Sequence, residues 1–123
     1  MIKHSEDKIQ ADCFKWLWMN YPQTRRLYFS IPLGGLRTPQ GAAVLMATGA
    51  VKGTPDTCLA VAANGFNALY IEFKTDTGKL SPEQVKSHEA LKKAGNAVVI
   101  VRSMQEFQGI VIPYLQASGI LNL

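Results

Sequence analysis

Apolar positions recur at helical spacing through the first part of the chain. Ile9, Cys13, Phe14, Leu17, Trp18 and Tyr21 share one face of a helix predicted from about Ser5 to Tyr21, and Pro22 ends it. Leu27 to Ile31 reads as a short strand. Pro32 to Arg37 reads as a loop, because Gly34-Gly35 gives the backbone freedom there. Thr38-Pro39 supplies an N-cap and a first helical position for a short apolar helix that closes near Gly49. Asp56 to Ala62 and Ala68 to Lys74 alternate like strands, and Asn64-Gly65 between them predicts a β-hairpin. Ser81, Pro82 and Gln84 open a capped helix that Gly95 stops. The apolar run Ala97 to Val101 predicts a strand buried on both faces. Ser103 and Glu106 then cap a last helix through about Ser118. The predicted order is α-β-α-β-β-α-β-α, an α/β sandwich with helices on a mixed sheet.

With 123 residues, 47% of them hydrophobic, the chain has material for one core and too little for two, so a single domain over residues 1–123 is expected. That apolar content excludes disorder. No stretch approaches the roughly 20 apolar residues of a membrane span. Met1 to Asp7 lacks the apolar core of an export signal, which makes the cytoplasm the expected location. Thirteen basic against nine acidic residues give +4, a balance that permits a polyanionic partner without requiring one. Cys13 and Cys58 form no CxxC pair, and His4 and His88 do not complete a zinc set with them. A metal here would need oxygen ligands.

Such ligands converge in the hairpin. Alternation puts Leu69, Ile71 and Phe73 on one face of their strand and Tyr70, Glu72 and Lys74 on the other. By itself, a Glu-x-Lys pair is common on solvated strand faces, where an ion pair contributes little. A turn centred on Asn64-Gly65, however, brings Asp56 opposite Phe73 and beside both Glu72 and Lys74. Two close carboxylates repel each other, which favours a shared proton or a bound cation. Hard oxygen ligands with room for water suit Mg²⁺, with Mn²⁺ as a substitute. Thr54-Pro55 leads into the strand in an extended conformation and aims Asp56.

Other residues carry two readings each. Glu6 continues the stripe of Gln10, Cys13 and Leu17; it suits the helix dipole and an active site equally. Gln84 fits a capping box or a contact with substrate. His88, one turn on, reads as a packed or solvated histidine. Lys86, Lys92 and Lys93 read as a solvated helix face. Arg25, Arg26 and Arg37 flank the glycine loop and suit either phosphate contacts or plain surface. Trp16 and Trp18 read as core. Residues Pro39 to Gly49 suit either core or a pairing surface between two copies.

Taken in order, Gly53-Thr54-Pro55-Asp56, Ile71-Glu72-Phe73-Lys74, Gly78-Lys79-Leu80-Ser81-Pro82-Glu83-Gln84, then Leu91 and Gly95 resemble the VRR-NUC branch of the PD-(D/E)xK nucleases. Gly34-Gly35-Leu36-Arg37 resembles the glycine-rich stretch of its small phage members, and the likeness spans roughly Glu6 to Val101. The resemblance implies a restriction-endonuclease-like core and a Mg²⁺-dependent endodeoxyribonuclease. It implies metal binding by Asp56, Glu72 and the Phe73 carbonyl, and a Lys74 that orients water and steadies charge. It also implies supporting roles for Gln84 and Glu6. Gly35, Arg37 and Lys52, with Arg25 and Arg26, are the expected DNA contacts. Lys52, Thr54 and Leu33 depart from the pattern in a way that touches substrate contacts more than catalysis. Small members of the family resemble four-way (Holliday) junction resolvases acting as homodimers, and a phage or prophage setting within a bacterial cytoplasm is implied. The alternatives are a less selective nuclease, a DNA-binding module that keeps the fold without the reaction, and an interaction protein with no nucleic-acid role.

Overall fold

The computed structural model describes residues 5–122, with Gly35 and Arg37 described by their backbone alone. Met1 to His4, the first part of the stretch read above for an export signal, lies outside the described residues. Eight elements appear in the expected order: α1 (Glu6–Asn20), β1 (Tyr28–Ser30), α2 (Pro39–Ala47), β2 (Thr57–Leu59), β3 (Leu69–Phe73), α3 (Pro82–Lys93), β4 (Ala97–Val101) and α4 (Met104–Ser118). The glycine loop contains a 3₁₀ turn, Gly34–Arg37. Among the described residues, no helix is long and apolar enough to cross a membrane.

The sheet order is β1-β2-β3-β4, antiparallel up to β3 and parallel between β3 and β4. The parallel step needs a crossover, and α3 supplies it. Leu59, Leu69, Ile71, Phe73 and Val101 turn one sheet face into a core with Cys13 and Leu17 of α1 and Phe107, Val111 and Leu115 of α4. Each such side chain contributes about 1.5–3 kcal/mol when fully buried. The opposite sheet face meets α3.

Two expectations change. The Asn64-Gly65 turn is present, with both residues at positive φ (53° and 84°) as a two-residue hairpin requires, and Ala63 pairs with Phe66 across it. Further down, however, Leu59 pairs with Leu69 and Thr57 with Ile71. Residues 60–62 therefore face only residues 67 and 68, and the extra residue is a bulge. Val61 N–H bonds back to the Leu59 carbonyl at 2.9 Å, and the Tyr114 hydroxyl donates to the Val61 carbonyl at 2.6 Å, pinning the bulge to α4. The register slips by one, so Asp56 falls opposite Glu72 rather than Phe73.

The second change concerns β4, which is not buried on both faces. It is a sheet edge with β3 as its one neighbour; Ala97 to Ile100 are half-buried and only Val101 is closed off. In α2, Thr38 caps through Gly41 N–H at 3.0 Å, as expected. None of its residues is buried, and Val44 and Met46 are 63% and 55% exposed, so α2 is not core within one chain.

Candidate active site

Asp56 stands at the start of β2, held by the chain on both sides. Its carbonyl accepts from Ile31 N–H at 2.7 Å, and its Oδ2 accepts from Phe73 N–H at 2.7 Å. In a strand, N–H and C=O of one residue point the same way, so the Phe73 carbonyl also faces the β2 side where Asp56 lies. Lys74 N–H points the other way, to the Val101 carbonyl at 3.0 Å.

Glu72 is only 1% exposed, in contrast with the solvated ion pair that a Glu-x-Lys pattern ordinarily forms. Gln84 Nε2 donates to its Oε2 at 3.2 Å, and His88 Nε2 lies 3.1 Å from its Oε1. Burial pushes the Glu72 carboxyl up to about 9, reinforced by hydrogen bonding and charge from Asp56 and by Glu6, and opposed by Lys74. His88 is pushed below its ordinary value by burial and by the charges of Lys92 and Lys74, against Asp56. Both shifts favour the uncharged form of the Glu72–His88 pair when no cation is nearby.

Gln84 fulfils the first of its readings, the capping box, and adds a bond to Glu72 that neither reading named. Its Oε1 accepts from Ser81 N–H at 2.9 Å while the Ser81 hydroxyl accepts from Gln84 N–H at 3.2 Å, a complete capping box. The free end of the same amide reaches Glu72. His88, read from sequence as packed or solvated, is packed, but against the buried acid. Its signal was position alone: one turn after Gln84 on the same helix face.

Lys74 is 7% exposed. Gly78 folds back onto its aliphatic stem, where an added Cβ would come within 3.3 Å of Cδ. The loop from Thr75 to Gly78 is fastened by Arg102, whose Nη1 donates to the carbonyls of Thr75 and Gly78 at 2.5 and 2.9 Å. Sequence reading missed Arg102. The available signal was its place just after β4, beside the chain leaving β3. The last helix cap also differs: Glu106 accepts from Arg102 N–H at 2.8 Å, one residue ahead of the Ser103 cap.

A cleft of about 510 Å³ opens over Asp56 and Gln84, with Lys52, Gly53 and Thr54 on one side and Pro32 to Gly34 on another. Gly53 has φ +91°, and a Cβ there would sit 2.3 Å from the Glu83 carbonyl oxygen. This close approach seats the Asp56 loop on the first turn of α3.

The structure thus gathers Asp56, Glu72, Lys74 and Gln84, with Phe73 at the end of β3 bonded through its N–H to Asp56. Glu6, half-buried at the start of α1, is near enough for its charge to act on Glu72. Lys52 borders the cleft. Gly35 and Arg37 belong to the 3₁₀ turn whose Gly34 and Leu36 line it. Arg25 and Arg26 lie outside it on an exposed turn, and Arg25 stacks 4.0 Å above the Trp18 ring. Among the described residues, no three His, Cys, Asp or Glu side chains form a group able to hold a metal ion. A cation would depend on two carboxylates, a backbone carbonyl and water.

Three antiparallel strands, a parallel fourth strand and flanking helices make a mixed α/β fold with the acids gathered at one strand end. No protein-family model matches the chain, and no curated protein sequence does. Among solved structures it is similar to one described as a VRR_NUC domain protein, with a TM-score of 0.74 at 19% identity over 96% of this chain and 93% of that one. The fold is the VRR-NUC fold.

Proposed function

We propose that this protein is a Mg²⁺-dependent endonuclease that hydrolyses phosphodiester bonds in DNA, acting as a homodimer on four-way junctions. The observation that carries the reading is that Asp56 lines an open cleft while its carboxylate is bonded to Phe73 N–H, between the buried Glu72 and Lys74. The description of the structural neighbour as a VRR_NUC domain protein supports a nuclease.

The donor set fits a hard cation. Asp56 has one oxygen left over from its bond to Phe73 N–H, and the Phe73 carbonyl faces the same side. Glu72 sits where burial and Asp56 disfavour its charge, and a cation would reverse that. Asp56, Glu72 and the Phe73 carbonyl would hold Mg²⁺ or Mn²⁺, which when bound polarises a phosphate and lowers the pKa of water. Lys74 positions the attacking water or stabilises charge on the phosphate oxygens. Gln84 and His88 each hold one Glu72 oxygen, and Glu6 supports the acids from α1. Lys52 and the Gly35–Arg37 turn meet the DNA backbone beside the cleft, with Arg25 and Arg26 further along it.

The test compares a labelled four-way junction, linear duplex and single strands in Mg²⁺, Mn²⁺ or EDTA. Metal-dependent paired incisions on the junction are expected, falling at least about a hundredfold in Lys74→Ala. Equal cutting of every substrate would leave the chemistry and remove junction selectivity. Tight binding without cleavage would leave a binding module. An undiminished Lys74→Ala would overturn the site.

A further inference from the structure

A second depression, of about 480 Å³, opens between α1 and the free edge of β1. One wall is a single stripe of α1: Asp7, Gln10, Ala11, Phe14 and Trp18, spaced so that all share a face. The small Ala11 leaves the space open. Phe14 and Trp18 meet edge to face with centroids 4.9 Å apart, and the Arg25 guanidinium closes the end over Trp18. The other wall is β1. Leu27 and Ile31 bond across to Ala60 and Asp56, so alternation turns Phe29 toward β2 and leaves the backbone groups of Tyr28 and Ser30 facing the open edge.

This depression and the catalytic cleft are continuous: Asp7, Gln10 and Ser30 line both. Resting on the nuclease reading, we propose that the depression is a nucleobase subsite, which takes one base unstacked from the DNA next to the phosphate at Asp56. Its chemistry is that of a base and not of a phosphate. Asp7 repels an anion but accepts from an exocyclic amine, and the Gln10 amide donates and accepts along a base edge. Phe14 already stacks on Tyr28 at 4.2 Å and Trp18 lies under Arg25, so a base would stack on the parts of this cluster left uncovered, the guanidinium among them. Extruding a base costs least where it is already weakly paired or unpaired.

The test measures binding of the Lys74→Ala protein in Ca²⁺ to four-way junctions in which one nucleotide at a time near the crossover is abasic. One position should weaken binding about tenfold. That penalty should vanish in Ala11→Leu/Lys74→Ala, where the added side chain fills the depression. Arg25→Gln/Lys74→Ala is the second variant, and thermal unfolding verifies that both fold. Tolerance of every abasic position, an equal penalty in both variants, or no junction binding at all would overturn the subsite. The nuclease reading is read separately, from incision by the wild-type chain in Mg²⁺. A positional penalty without incision would remove the nuclease and retain the subsite; incision without a penalty would do the reverse.

Discussion

Gln84 and Glu72 are joined by one amide that serves two structures: Nε2 donates to Glu72 Oε2 at 3.2 Å while Oε1 accepts from Ser81 N–H at 2.9 Å. The helix start and the buried acid therefore share a part, and two substitutions separate its roles. Gln84→Glu keeps an acceptor for Ser81 N–H and loses the donor to Glu72. Gln84→Ala loses both. Cleavage should fall about tenfold in each, since a hydrogen bond to a charged group contributes roughly 1.5–3 kcal/mol. Only Gln84→Ala should lose about 1 kcal/mol of stability, read by denaturant unfolding. Equal cleavage by Gln84→Glu and the wild type would show that the amide serves the helix alone.

Glu72 should make the metal-free protein sensitive to alkali. Its carboxyl is pushed from 4.5 to about 9 in the fold, so between those values the folded chain holds a proton that the unfolded chain has released. Stability then falls as pH rises, until the folded chain loses the proton too near pH 9. His88, pushed down, acts with the opposite sign on the acid side, below its ordinary 6.5. The window from pH 7 to 8 isolates Glu72, because the buried Cys13 and Cys58 thiols, pushed up from 9.0, add a slope of the same sign as pH nears 9. In EDTA, the wild-type melting temperature should drop across that window while Glu72→Gln stays flat and lies above it. Saturating Mg²⁺ should reduce the wild-type slope by binding the charged form. A wild-type slope no steeper than that of Glu72→Gln would show that Glu72 is charged in the metal-free fold.

Much of this arrangement was legible before folding because it depends on local rules. Alternation placed Glu72 and Lys74 on one face, the Asn64-Gly65 turn made the hairpin, and Ser81 with Gln84 announced the cap. The register was not legible. The bulge lies among Ala60, Val61 and Ala62, which carry no glycine or proline to mark it, and its anchor Tyr114 is 53 residues away. Nor does an apolar run such as Ala97 to Val101 distinguish an edge strand from a central one. His88 and Arg102 escaped for a related reason. Position marked each of them, but their partners, a buried carboxylate from another element and backbone carbonyls of a loop, are set only by how the elements pack.

Gly53 links the Asp56 loop to α3 through its missing side chain. In Gly53→Ala a Cβ would meet the Glu83 carbonyl at 2.3 Å, backbone that can yield only if the first turn of α3 moves. The residue also sits at φ +91°, where alanine is strained by at least about 1 kcal/mol. Gln84 rides on that turn. Gly53→Ala should therefore lower the melting temperature and reduce cleavage further than Gln84→Ala does. A variant as stable and active as the wild type would mean that the loop and helix separate freely.

The exposed apolar surface of α2 leads to the last prediction. Val44 and Met46 stand 63% and 55% exposed, and Val51 beyond the helix is 59% exposed. Scattered apolar residues need no explanation, but these three follow one another along the segment that leads into Gly53 and Asp56. Pairing two copies through α2 by two-fold symmetry would bury them and fix the spacing between two catalytic clefts. Because no α2 residue is buried within one chain, charged substitutions there should spare the monomer. The double variant Val44→Lys/Met46→Lys should sediment as a monomer where the wild type sediments as a dimer, with an unchanged far-UV spectrum. On a junction it should leave single nicks in place of paired cuts. A wild-type monomer, or a double variant that still pairs, would place the contact elsewhere or remove it.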